Sequence, residues 1–403
     1  MKDCKTYCQI YSQVLSGGMT CFTIPKKGYE SKQAAIAVKC GGTESPPGIA
    51  HFLEHKLFED HDLNLFDEFT SMGASVNAYT HFTHTVYYFS TIDAFDKNLE
   101  MLFRLVQQPH ITEENVEKEK GIILSEIDMY ADNPYWQVYT GLHRALFHNS
   151  SLNQDILGTK ESVRDIMPIK LYDFHYNFYT PDNMALIAIG DFEANQIIEW
   201  AEHYSQIKGP HVCKRESKKE PAHAAIPFIA KHMSVSIPLF QLGFKAVYSK
   251  EADPTTIAAS GLLVDIIAGE SSKVYSDLYS MGMIDNQFAV DYIVGINHGI
   301  FIFAGASIQP EAVKTHILQA IKGGIRKERF EVIKGKHIGR YIRGFNSVDM
   351  LSSAQAELFT RGQDIPTMLE AVCNLRFEDV EAQLHEHLHE ENCALSVIWP
   401  EVL

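Results

Sequence analysis

Apolar and side-chain-small residues fill Ala34-Ala35-Ile36-Ala37-Val38, and alternation marks Thr85-Val86-Tyr87-Tyr88-Phe89-Ser90, so both stretches predict strands. Asn183-Met184-Ala185-Leu186-Ile187-Ala188-Ile189-Gly190 is apolar enough for a strand at a sheet centre. The longer period of a helix appears over 48–59, 62–72, 93–107, 113–131, 134–147, 168–178 and 193–205. Gly73 after Met72 fits a C-terminal cap, and Pro109 separates two helices. From Lys208 to Ala225 the pattern lapses into Lys, Arg, Pro, His and Ala, which marks 206–226 as a linker. A second series follows: strand-like 228–247, helix-like 254–268, and a further helix opened by Gly269-Glu270-Ser271-Ser272-Lys273-Val274-Tyr275. The mixed order predicts an α+β class, with domains over 1–205 and 227–403.

The helix at 48–59 carries the chemistry. Pro46-Pro47-Gly48 ends what precedes it, and Ile49, Phe52, Leu53, Leu57 and Phe58 recur on its buried side. His51 and His55 are four residues apart, so both imidazoles share a face and reach one metal ion. Glu54 is displaced by about 100° around the helix, where a general base for the attacking water belongs. Unpaired imidazoles beside an apolar face cost free energy, and a metal satisfies them.

A hydrolytic zinc site needs a third protein ligand and an open fourth position. The carboxylate candidates lie in Thr112–Met129, where Thr112, Glu113 and Glu114 make a good helix start. Glu119 and Glu126 are seven residues apart and share a face, while Val116, Ile123 and Ile127 form the apolar stripe. Glu113, Glu114 and Glu117 read as solvated.

Composition narrows the class. With 403 residues, 45% of them hydrophobic, the chain is expected to build two cores. A net charge of −16 argues against a nucleic-acid partner. No run of 18 apolar residues occurs, so no membrane span is expected, and Met1-Lys2-Asp3-Cys4-Lys5 lacks a signal-peptide core. The seven cysteines, an odd number, read as reduced thiols of a cytoplasmic protein, with Cys4 and Cys8 in a tail.

Gly48-Ile49-Ala50-His51-Phe52-Leu53-Glu54-His55 resembles the zinc-binding segment of the M16 (pitrilysin-like, inverzincin) metallopeptidases. In that family a glutamate roughly 70–80 residues downstream completes the site. Glu126 lies 71 residues past His55, and Glu119 matches the family's supporting carboxylate. Gly73-Ala74-Ser75-Val76-Asn77-Ala78-Tyr79-Thr80 resembles the family's substrate-pairing strand, and Thr85, Tyr87 and Tyr88 continue it. Leu157-Gly158-Thr159 and Phe178-Tyr179-Thr180-Pro181-Asp182-Asn183-Met184 match landmarks late in the first domain. The resemblance is strong over 35–205 and weaker beyond. Finer matches, such as His55-Lys56-Leu57-Phe58-Glu59 and Met129-Tyr130-Ala131-Asp132-Asn133-Pro134-Tyr135-Trp136, resemble the YmfH-like and AlbF-like bacterial branch.

The resemblance implies two similar domains, each a mainly antiparallel sheet packed with helices, the second without a metal site. It implies one Zn²⁺ per chain, held by His51, His55 and Glu126, with Glu54 as the base and Glu119 supporting a ligand histidine. Asn77 and Ala78 are the expected substrate-binding residues, on a strand edge that a peptide joins. Family members enclose the peptide in a clamshell of four domains, so this chain implies a heterodimer with an inactive paralogue, or a homodimer. The implied activity is zinc-dependent endopeptidase, with leader-peptide processing in bacteriocin or other peptide maturation as one role. The alternatives are a non-catalytic M16 subunit acting as the structural or recognition half, and an interaction protein that holds no metal. Arg340, Tyr341 and Arg343 are weaker candidates for substrate contact.

Overall fold

Residues 9–60, 63–205 and 219–401 are described by the computed structural model. Cys4, Cys8 and Cys213, and 206–218 of the expected linker, lie outside the described residues. The first half of the chain runs β1 (Tyr11–Val14), β2 (Thr20–Pro25), β3 (Lys32–Val38), α1 (Ile49–Lys56), β4 (Glu59–Asp60), β5 (Leu63–Asn64), α2 (Leu65–Ser71), β6 (Ser75–Thr80), β7 (Thr85–Thr91), α3 (Phe95–Gln107), α4 (Glu113–Ala131), α5 (Pro134–Leu146), α6 (Lys160–Arg164), α7 (Pro168–Phe178), β8 (Met184–Gly190) and α8 (Ala194–Tyr204). The second half continues β9 (Phe228–Met233), β10 (Leu239–Val247), α9 (Pro254–Ala268), α10 (Lys273–Ser280), β11 (Ala289–Val294), β12 (His298–Ala306), α11 (Pro310–Lys322), α12 (Lys327–Gly344), α13 (Val348–Phe359), α14 (Ile365–Asn374), α15 (Phe377–His387) and β13 (Cys393–Pro400).

The expected helices are present, with differences at their ends. The helix expected to reach 59 stops at Lys56, and the one expected from 62 starts at Leu65. Between them Glu59–Asp60 pairs antiparallel with Leu63–Asn64, so the backbone hydrogen bonds go to a short ladder instead of a helical turn. The strand-like run 228–247 divides into β9 and β10, with Pro238 between them. The β2 segment, Thr-Cys-Phe-Thr-Ile-Pro, is a strand that periodicity did not single out.

Among the described residues, one compact unit takes 9–127, 155–205 and Ile342–Pro366, and the other takes Asp128–Gln154, 219–341 and Thr367 onward. In the first unit the sheet order is β1-β2-β8-β3-β7-β6, antiparallel except for the parallel β2–β8 pair. The apolar strands β3 and β8 lie at its centre and are almost wholly buried. Ile36, Leu186, Tyr87 and Phe89 pack in one core with Phe52 and Leu53 of α1 and with Leu99 and Phe103 of α3. Helix α13, from the second half of the sequence, packs on β3 and β8. Among the described residues, the edge strand β6 has a strand partner only in β7.

The second unit has the order β11-β12-β10-β13-β9, antiparallel except for β13–β9. Helix α5, from the first half of the sequence, packs on its strands β13, β10 and β9. Residues 219–226 of the expected linker are fastened in this unit. Glu220 accepts from the backbone N–H groups of His148 (2.8 Å), Asn149 (2.9 Å) and Ser150 (3.0 Å), and from the fully buried Lys245 ammonium at 2.8 Å. Arg340 pairs with Asp265 at 3.4 Å beside Lys336 and His337, Tyr341 packs against this unit's core, and Arg343 is exposed.

The entry to α1 depends on two glycines. Gly48 caps the helix at φ 86°, and a Cβ there would meet the Leu157 carbonyl oxygen at 2.5 Å. Gly158, at φ 78°, approaches the Pro47 carbonyl in return. Both positions need a left-handed backbone and no side chain, so the 157–158 turn sets where α1 begins. Gly48→Ala is expected to destabilise the first unit by about 2 kcal/mol or more, read as a lowered urea midpoint. An unchanged midpoint would show that this contact does not hold α1.

Candidate metal centre

Helix α1 is an apolar wedge with one polar side. Ile49, Phe52 and Leu53 enter the core, and the same winding turns His51 and His55 toward α4. Val116 and Ile123 bury the inner stripe of α4, which brings Glu119 and Glu126 to face α1, while Glu113, Glu114 and Glu117 are exposed. The Nε2 atoms of His51 and His55 are 3.3 Å apart. Glu126 Oε2 lies 3.5 Å from the first and 3.6 Å from the second. Among the described residues, these three side chains form the one group of metal-ligating type with converging atoms.

The convergence fits zinc. Ligands about 2.0–2.1 Å from a tetrahedral Zn²⁺ stand about 3.3 Å from one another. The protein alone leaves the cluster short of partners, since buried Glu126 Oε2 has no hydrogen bond. Burial, with the neighbouring His55, pushes His51 down to about 3 and keeps it neutral with a lone pair to give. For His55, burial acts downward too, but the Glu119 bond and the charges of Glu119, Glu54 and Glu126 outweigh it and hold the imidazole above its usual value. Burial raises the Glu126 carboxyl, partly offset by His55 and reinforced by Glu119. Two imidazole nitrogens and a carboxylate oxygen turned toward one point are a donor set that suits a divalent cation.

Glu119 is buried, and its Oε1 accepts from His55 Nδ1 at 2.9 Å. That bond fixes the tautomer and leaves His55 Nε2 free to ligate. Lys56, fully buried behind it, pairs with Glu59 and lies 3.9 Å from Glu119 Oε2. The sequence placed Lys56 in a branch motif but gave it no role in the site; a lysine next to a histidine of the cluster, on the core side of an amphipathic helix, was the available signal. Glu54 Oε2 accepts from the Thr80 hydroxyl on β6. Burial raises the Glu54 carboxyl, while the Thr80 bond and His55 act downward.

A cavity of about 880 Å³ opens beside these groups, lined by Glu54, His55, Phe58, Glu119, Asn77 and Ala78 among others. The seven residues singled out from the sequence thus come to one place in the first unit. His51, His55, Glu126, Glu119 and Glu54 form the cluster, and Asn77 and Ala78 lie on the exposed edge beside it. No helix of the described residues is long and apolar enough to cross a membrane.

The family model described as insulinase (peptidase family M16) matches residues 25–160, and the M16 inactive-domain model matches 167–334. The chain is 32% identical to the uncharacterized zinc protease YmfH of Bacillus subtilis, over 97% of this chain and 96% of that one. It is 32% identical to the mitochondrial-processing peptidase subunit beta of Neurospora crassa, over 40% of this chain and 35% of the relative. An M16-like peptidase from Alicyclobacillus acidocaldarius superposes with a TM-score of 0.93 at 31% identity, covering 98% of this chain and 99% of the other.

Glu119→Gln is expected to weaken zinc binding by about 10–100-fold in competition with a chelator, with the fold retained. Glu126→Gln should weaken it further, and equal affinity in both variants would remove Glu126 from the ligand set. His51 titrates near 6.5 when unfolded and is held at about 3 when folded, so its stabilising share is full above 6.5 and is lost as pH falls toward 3. In zinc-free protein, the stability advantage of wild type over His51→Gln should narrow by about 2 kcal/mol between pH 7 and pH 5 in urea unfolding.

Proposed function

The chain belongs to peptidase family M16, and from that premise we propose that it is a zinc-dependent endopeptidase using one metal ion per chain. The observation that carries the reading is the convergence of His51, His55 and Glu126 ligand atoms at 3.3–3.6 Å, with Glu119 behind His55 and Glu54 beside it. Zinc held there supplies Lewis acidity and brings an attacking water into the neutral pH range.

The protein's own groups do the rest. Glu54 accepts a proton from the attacking water and returns it to the leaving amine. Glu119 keeps His55 oriented and its Nε2 unprotonated toward the ion. The edge of β6 at Asn77 and Ala78 takes the peptide as an added strand, so main-chain hydrogen bonds align it with little dependence on side chains. A chain with two such units is half of an enclosure, and we place it in a dimer, preferably with an inactive paralogue and otherwise with a second copy. One relative is by name a subunit of a processing peptidase, which supports a processing role. Leader peptides from bacteriocin or other peptide maturation, in the cytoplasm, are the proposed substrates.

Elemental analysis should find zinc near one per chain, and Glu54→Gln should lower peptide cleavage by about 10²–10⁴-fold with zinc retained. Zinc near zero would make this chain the non-catalytic subunit instead. Loss of zinc on Glu54→Gln would overturn the assignment of Glu54 as base. Light scattering of the active form should give two chains, and full activity from a single chain would end the dimer reading.

A further inference from the structure

Thr80 ends the edge strand β6, and its cross-strand partner in register is Thr85 at the start of β7. Four groups then line up: the Glu54 carboxylate, the Thr80 hydroxyl, the Thr85 hydroxyl and the Cys40 carbonyl. Thr80 Oγ1 donates to Glu54 Oε2, the two hydroxyl oxygens are 3.3 Å apart, and Thr85 Oγ1 donates to Cys40 O at 3.0 Å. Thr85 is fully buried.

Each hydroxyl has a single proton, which settles where each one donates. A carbonyl only accepts, so the Thr85 proton is committed to Cys40. An ionised carboxylate only accepts, so the Thr80 proton is committed to Glu54. The buried Thr85 therefore holds its place without competing for Glu54. Oε2 of Glu54 is engaged, while among the described residues Oε1 makes no hydrogen bond. The two oxygens of a free carboxylate are equivalent. Here they are not.

We propose that Thr80 is a positioning residue for proton transfer: its hydroxyl pins Oε2 of Glu54 and stops the carboxylate turning, so that Oε1 is the atom that takes and returns the proton. This rests on Glu54 being the base, as proposed above. It goes further by giving the carboxylate a fixed orientation and the last residue of the peptide-accepting strand a part in it. Strand β6 then does two things within four residues, presenting an edge at Asn77 and Ala78 and aiming the base from Thr80. Proton transfer depends steeply on such aim, because a misplacement of about 1 Å costs about 10²-fold in rate.

Valine keeps the β-branched shape and the strand propensity of threonine and removes the hydroxyl. The test uses zinc-loaded protein, in its dimeric form where light scattering finds one, with an internally quenched fluorogenic peptide chosen from a mixed library by wild-type turnover. Thr80→Val should lower kcat by about 10–100-fold with KM and zinc content unchanged, and Thr80→Ser should restore kcat to within about threefold. A crystal structure of metal-free Thr80→Val should show the Glu54 carboxylate rotated or in more than one orientation. Unchanged kcat in Thr80→Val, or a Glu54 carboxylate still fixed as in wild type, overturns the proposal while Glu54→Gln remains inactive and its reading stands. A KM rise at constant kcat would make Thr80 part of the peptide-binding edge only, which also overturns it. Activity surviving in Glu54→Gln removes the underlying reading and this one together.

Discussion

Three electron-rich atoms held within 3.6 Å of one another repel unless a proton or a cation lies among them. That constraint organises the first unit. Two of the atoms come from one turn of α1 and the third from a helix that begins some 60 residues later in the chain, so the repulsion must be opposed by rigid packing. The packing is visible on both sides. Phe52 and Leu53 fix α1 against the sheet, Val116 and Ile123 fix α4, and the Gly48–Leu157 approach fixes where α1 begins. Lys56 and Glu119 then add opposite charge immediately outside the ligand atoms, so His55 is oriented by a carboxylate that is itself neighboured by a buried ammonium.

What could be read along the chain followed from local periodicity. His51 and His55 share a helical face whatever else the protein does, and Glu119 and Glu126 share one for the same reason. Their mutual approach is not local, and only resemblance to a family linked them across 71 residues. Thr80 and Thr85 were visible as strand residues, but their hydroxyls stand side by side between Glu54 and Cys40 only because the β6–β7 register sets them opposite each other. The exchange of α5 and α13 left no mark in the hydrophobic pattern. Each is an ordinary amphipathic helix, and nothing in its own sequence says which sheet it covers. The ends of α1 and α2 were overrun because a two-residue ladder offers too few positions for an alternation to register.

The two units show what a shared frame does and does not carry. Each sheet joins one parallel pair to a set of antiparallel ones, and in each a helix from the other half of the sequence packs on the central strands. In the first unit the helix after the central strand β3 bears the histidines. In the second, the helix after β10 is α9, whose Leu262, Leu263, Ile266 and Ile267 are all buried or nearly so and whose acid, Asp265, serves Lys336, His337 and Arg340. Burial first acts against the Asp265 charge, yet the bonds from His337 and Lys336 bring its pKa down to about 2, so this acid is held as a structural anion. The frame permits a site and does not require one, so the chemistry has to be argued from side chains.

An unpaired sheet edge is an aggregation hazard, and proteins usually cover or charge it. At β6 the protection is local: the Ala78 N–H donates to the Oδ1 of Asn77 at 2.8 Å, within the same strand. A side-chain bond between adjacent residues blocks casual pairing, yet an incoming peptide carbonyl exchanges with it one hydrogen bond for another. The net change in such an exchange is small, of order 1 kcal/mol or less. The edge can therefore be closed at rest and open to a strand that makes several such exchanges at once. The same strand ends at Thr80, whose hydroxyl bonds the Glu54 carboxylate, so on the proposed reading any alignment a peptide gained from the edge would be referenced to that bond. Recognition of the backbone and orientation of the carboxylate would then share one rigid element, although the parts of the site come from distant stretches of the chain.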